Sequence, residues 1–169
     1  MASTGIQLFT SILTLCSLAW AAPVDQNVAF SVGLTNTQRV SNNDIIVYDR
    51  VFINDHYGYD ELTGEFRCPV EGTYIFHFHA YNTNQESIMW LDLMHNNQPV
   101  VSVSGYNSHT VGSQSVILKL RVGDKIHIQS KEQQTFALFG LPDQIYSTFT
   151  GHIISASSSN PFQDSGIIG

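Results

Sequence analysis

The chain has 169 residues, 43% of them hydrophobic and 12% charged, with 14 Asp and Glu against 7 Lys and Arg for a net charge of −7. That length suits one domain that buries about two thirds of its unfolded surface. The acidic balance excludes nucleic-acid binding, which needs a basic footprint.

Residues 1–21 read as a secretory leader. Ile6 to Trp20 is mostly apolar and uncharged, and Ala19-Trp20-Ala21 offers small residues at both cleavage positions. Its roughly 15 apolar residues fall short of the ~20 a spanning helix needs. No later stretch is long and apolar enough to cross a bilayer, so the expectation is a secreted, extracellular product with no membrane span. Residues 22–27 form a short N-terminal segment, 28–155 a globular domain, and 156–169 a Ser-rich flexible tail.

VAFSVGL alternates, with Val28, Phe30 and Val32 on one side. TNTQRVSNND is polar and irregular and reads as a loop, and IIVYDRVFI reads as the second strand. DHYGYDELTG is dense in Asp and Gly and forms turns. After a short strand at Phe66 and Cys68, TYIFHFHAY places Tyr74, Phe76, Phe78 and Ala80 on one face. Ile75, His77, His79 and Tyr81 lie on the other. Both faces are apolar or aromatic enough to require cover, more than one sandwich core supplies. SIMWLDLM, QPVVSVS, SVILKLRV, KIHIQS, TFALFG and YSTFTGHII follow as strands separated by turns. The result is an all-β, ten-stranded sandwich or jelly roll with no helical period after the leader.

Half of the acids (Asp44, Asp49, Asp55, Asp60, Glu61, Glu65, Glu71) fall between residues 41 and 71. They form a solvated face or, failing that, supply oxygens to a divalent cation such as calcium. No EF-hand spacing is present, no cofactor is required, and the identity of any metal stays unknown. Cys68 is the only cysteine outside the leader. It reads as a small apolar residue buried in its strand, with an intermolecular bridge or reactive thiol as the other reading. Neither a G-x-S-x-G elbow nor an H-E-x-x-H motif occurs, so no catalytic residues are expected.

A spaced set of residues, Tyr48, Asn54, Tyr59, Phe66, Gly72, Tyr74, Phe76 and Phe78, resembles the signature of the globular head domain of complement C1q, the module of the C1q and tumour necrosis factor superfamily. YDELTGEFRCPVEGTYIF and GSQSVILKLRVGDKIHIQ continue the resemblance. Two departures stand out: Tyr48 replaces a Phe, and His152 in STFTGHII takes the place of an aromatic residue. The family match covers residues 28–155 without a collagen stalk. Each signature residue also has its own role: Gly72 suits the turn after Pro69-Val70-Glu71, and the same-face aromatics supply core burial.

The resemblance implies a jelly roll that assembles as a homotrimer, with Ile75, His77, His79 and Tyr81 in the interface. His77 and His79 then sit where a threefold repeat makes a metal site, a pH switch or hydrogen-bonded interfacial imidazoles. It also implies lectin-like pattern recognition in innate immunity, with loops that bind carbohydrate or microbial surfaces. The candidate loop residues are Asp55, Tyr57, Asp60, Tyr106, His109 and Tyr146; tyrosines there can stack on sugar rings, and three copies gain by multivalency. The other reading is an extracellular ligand for a protein receptor, or a calcium-binding matrix protein.

Overall fold

The computed structural model describes residues 27–83, 87–106, 109–131 and 135–157. The leader, all but the last residue of the 22–27 segment, residues 107–108 between the candidates Tyr106 and His109, and nearly all of the C-terminal tail lie outside the described residues. Strand β1 (Ala29–Gly33) is followed by β2 (Gln38–Val40), β3 (Arg50–Asn54) and β4 (Phe66–Arg67). The long β5 (Gly72–Asn82) leads to β6 (Met89–His95), β7 (Gln98–Gly105) and a second long strand, β8 (Thr110–Leu120). β9 (Lys125–Ser130), β10 (Phe136–Leu138) and β11 (Thr148–Ala156) complete the chain.

These strands form two antiparallel sheets. A seven-stranded sheet runs β2-β10-β5-β11-β1-β3, with β8 on the other edge of β5, and a four-stranded sheet runs β4-β9-β6-β7. There are thus eleven strands among the described residues rather than ten. The addition is β2, whose polar Gln-Arg-Val lacks a strand signature but pairs with β10. Conversely, the apolar run Ile45-Ile46-Val47 forms only one isolated bridge, Ile45 to Gln129. Ile46 and Tyr48 are buried from a non-strand segment, so apolar alternation there reports burial and not pairing.

The sheets pack through their aromatic faces. Phe66 of the small sheet stacks on Phe30 of the large one at 4.9 Å and meets Tyr74 and Phe76 at 5.7 Å. Phe149 sets its edge to Phe30 at 4.8 Å. Such pairs add directional attraction to the burial of large rings. Gly151 lets them close: a Cβ there would lie 2.5 Å from Phe30 and 2.6 Å from Phe76. Gly72 is also a close-approach position. It is the first residue of β5, and a Cβ would strike the Ser155 carbonyl, so the requirement comes from β11 and not from a turn.

The signature residues Tyr48, Asn54 and Tyr59 tie the edge of this core together. Asn54 donates from Nδ2 to the Tyr59 carbonyl at 2.8 Å and accepts the Tyr59 N–H at 3.0 Å. The Tyr59 hydroxyl accepts the Tyr48 N–H at 3.0 Å. Burial raises the Tyr59 pKa to about 12. Cys68 is buried, its thiol donating to the Val70 carbonyl at 3.1 Å; burial pushes the thiol pKa up, which disfavours the reactive thiolate.

Candidate functional site

Pairing defines two ends of the sandwich. At one lie Asn82, its partners Thr110 and Leu138, and the start of β11. At the other lie Gly72, its partners Leu120 and Ala156, and the end of β11. Chain enters β1 and leaves β11 toward the Gly72 end, because the Val28 carbonyl accepts the Ile153 N–H at 2.9 Å and Ser157 N–H reaches the Glu71 carbonyl at 2.8 Å. The Asn82 end is therefore the free end.

The six candidate loop residues divide between these ends. Asp55 and Tyr57 form a 3₁₀ turn after β3, where His56 and Tyr57 take φ of 61° and 51°. Tyr57 is 92% exposed there. It borders an open cleft with Asp60, Glu61, Leu62 and Arg67. Asp60 caps its own turn by accepting the Leu62 N–H at 2.8 Å, and that bond, with others from Thr63, holds its carboxyl below the usual range.

Tyr106, His109 and Tyr146 lie at the free end. Tyr81 shares a 2.6 Å hydrogen bond between its hydroxyl and His109 Nδ1. Its ring lies 5.1 Å from Tyr146 and 5.6 Å from Phe139, and Phe139 lies 5.7 Å from Tyr146. Four rings thus converge from β5, the β8 approach and the segment between β10 and β11. Tyr146 stays 52% exposed. Sequence reasoning missed Phe139 as a member and placed Tyr81 elsewhere, since the four residues come from distant parts of the chain. Tyr106 is exposed nearby in sequence and makes no ring contact among the described residues.

The outer face of the seven-stranded sheet is the second candidate surface. Ile75 pairs with Ile117 on one side and His152 on the other; His77 is flanked by Ser115 and Thr150, and His79 by Ser113 and Thr148. His77 Nδ1 shares a 2.7 Å hydrogen bond with Ser115 Oγ. Ile117 and Val111 are 59% and 65% exposed. Across the outward positions of β8, β5 and β11 the only formal charge is Lys119. Among the described residues His79 is exposed while Ile75, His77 and Tyr81 are half-buried, and Tyr81 differs in being packed by rings from the loops.

The acids between residues 41 and 71 do not converge. Asp44 accepts the Ser41 N–H at 2.7 Å. Burial would raise the Asp49 pKa, yet bonds from Thr35 and Asn36 at 2.6–2.8 Å prevail and hold it low. Glu65 pairs with Lys125 at 2.7 Å. Among the described residues no group of three or more His, Cys, Asp or Glu is gathered as metal ligands. No helix among them is long and apolar enough to cross a membrane.

Comparison with known proteins agrees with this architecture. The C1q domain family model matches residues 29–154. Complement C1q tumor necrosis factor-related protein 6 of Mus musculus is 32% identical over 135 residues, covering 78% of this chain and 51% of that protein. Its Rattus norvegicus counterpart gives the same identity and coverage. The chain therefore spans about half the length of the curated relatives it matches. Among solved structures, the globular domain of zebrafish complement 1qA protein superposes with a TM-score of 0.61 at 26% identity, over 77% of this chain and 99% of that one. Eiger TNF from S. frugiperda superposes with a TM-score of 0.62 over 80% and 97%, and at 13% identity it speaks for the fold alone.

Proposed function

This chain belongs to the C1q domain family, and from that premise we propose that it is a secreted homotrimer that recognises carbohydrate or microbial surface patterns, a lectin-like function in innate immunity. The observation that carries the reading is the ring patch at the free end. Tyr81, Phe139 and Tyr146 offer apolar ring faces, and the Tyr81–His109 hydrogen bond offers polar groups beside them. A pyranose needs that combination: a C–H face to stack and hydroxyls to bond. Single sites of this kind bind weakly, and three in one particle bind a repetitive surface far more tightly. The nearly uncharged face around Ile75, His77 and Ile117 supports the trimer, because Ile117 and Val111 stand exposed on it and call for a partner.

The test is a glycan array probed with the wild type and with Tyr146→Ala, alongside the mass of each in solution. The expected result is glycan binding that the variant loses while its mass stays that of three chains. A variant that falls to single chains would assign the ring to subunit contact and remove the proposed site.

A second reading is an extracellular ligand for a protein receptor. It is favoured by the exposed Tyr57 and Leu62, at 92% and 89%, which flank one cleft and resemble protein-docking side chains more than sugar platforms. Array silence with saturable, Tyr57-dependent binding to cells would support it. Calcium is a proposed accessory to either reading, with Asp55 and Asp60 as the side chains to change in calorimetry.

A further inference from the structure

The search beyond the free end turns on how the chain's few cations are used. Lys125 is paired with Glu65, and Lys131 lies 3.9 Å above the Trp90 ring. Lys119 and Arg121, two residues apart at the end of β8, are exposed, and neither side chain meets an ion-pair or hydrogen-bond partner among the described residues. Both line a cleft of about 560 Å³ at the Gly72 end, shared with Thr73, His95, Asp124 and Ser157. That size falls within the range of small-molecule sites.

With Glu71, Asp124 balances the formal charge of the two cations, but its oxygens are already engaged. Its carboxylate accepts the Arg121 backbone N–H at 2.8 Å and Asn96 Nδ2 at 2.8 Å, and His95 Nε2 lies 3.2 Å away, short of hydrogen-bond alignment. These bonds hold its pKa low and spend its oxygens on fixing the turn. Glu71 at the rim is exposed and makes no ion pair among the described residues. Thr73 and Ser157, both hydroxyl-bearing, line the same cleft.

We propose that this cleft binds an acidic sugar, with Arg121 and Lys119 holding its carboxylate or sulfate and Thr73 and Ser157 taking ring hydroxyls. A guanidinium fork matches either oxyanion with two parallel hydrogen bonds. The polar lining suits a polyhydroxylated ligand. The net charge of −7 repels polyanions in general, so binding depends on this local pair and weakens with salt. The site lies at the opposite end from the ring patch and stands independently of it. Lys119 and Thr73 pair two residues along β5 from Ile75, at the margin of the face that a trimer covers.

The experiment is an NMR titration of the full chain with glucuronic acid, glucose 6-sulfate and glucose. The two acids are expected to shift resonances around residues 119–124 and glucose to leave them unmoved. Arg121→Ala and Lys119→Ala should each weaken acid binding roughly tenfold, Glu71→Gln should strengthen it, and Tyr146→Ala should leave it unchanged. Preference for one acid over the other would identify the oxyanion. Equal binding of glucose, loss of acid binding in Tyr146→Ala, or indifference to both cation substitutions would overturn the assignment. Because both cations are exposed, the variants are expected to fold, and unchanged melting curves would establish it.

Discussion

The hydroxyl of Tyr59 accepts the backbone N–H of Tyr48 at 3.0 Å, while the hydroxyl of Tyr48, buried in the same core, meets no partner among the described residues. Burial pushes the Tyr48 pKa far up, so the group stays neutral. Tyr48 stands where the C1q signature has Phe, and the departure leaves a desolvated hydroxyl without compensation. Tyr48→Phe should therefore stabilise the fold by roughly 1 kcal/mol, read as a higher denaturation midpoint at unchanged slope. A loss of stability would mean that the hydroxyl has a partner.

Asn54 should be costly to replace. Its amide satisfies both the N–H and the carbonyl of Tyr59, and no other residue type of that reach both donates and accepts so close to the backbone. Asn54→Ala is expected to destabilise by roughly 1–3 kcal/mol, and Asn54→Asp, which keeps the acceptor alone, by an intermediate amount. Chemical denaturation of the three proteins decides it.

What the sequence revealed follows from how local the information is. Period-two alternation was enough to place β5 and the inward faces of β1 and β6, since each residue's side is set by its own parity. β2 was illegible because Gln38-Arg39-Val40 becomes a strand only through β10, nearly a hundred residues away. The free-end patch was half legible: His109 and Tyr146 were candidates as loop residues, but Phe139 and the inclusion of Tyr81 depend on contacts between distant segments. The same limit hid the separation of Asp55, Tyr57 and Asp60 from the other three. Lys119 and Arg121 could be read as outward-facing; that they share a cleft with Thr73 and Ser157 could not.

Gly151 should tolerate no side chain. A Cβ would press on Phe30 and Phe76 at 2.5–2.6 Å, both fully packed rings with no room to retreat. Gly151→Ala should cost roughly 1–3 kcal/mol, whereas Gly123→Ala, with nothing within 4 Å but φ of +91°, should lose only the smaller conformational penalty. Thermal melts of the two side by side would reveal whether packing or backbone freedom dominates.

His127 gives the fold a pH dependence of known sign. It is 2% exposed, its Nε2 lies 3.3 Å from Gln129 Oε1, and burial lowers its pKa from 6.5. The unfolded chain takes up a proton near pH 6.5 and the folded chain resists it. The contribution is fully present above pH 6.5 and is lost as pH falls from there through the folded value. Unfolding free energies measured from pH 7.5 to pH 5 should decline more steeply for the wild type than for His127→Gln. Parallel profiles would show that the imidazole is protonated equally in both states.

The multivalent recognition proposed for the ring patch rests on the face centred on Ile75 and Ile117, paired across β5 and β8, being closed by further copies of the chain. Sedimentation equilibrium of the purified protein at micromolar concentration tests this most directly. The account predicts a mass of three chains for the wild type and of one chain for Ile117→Glu, which sets a charge into an apolar contact. A wild type that sediments as a single chain, with Ile75 and Ile117 in water, would contradict it.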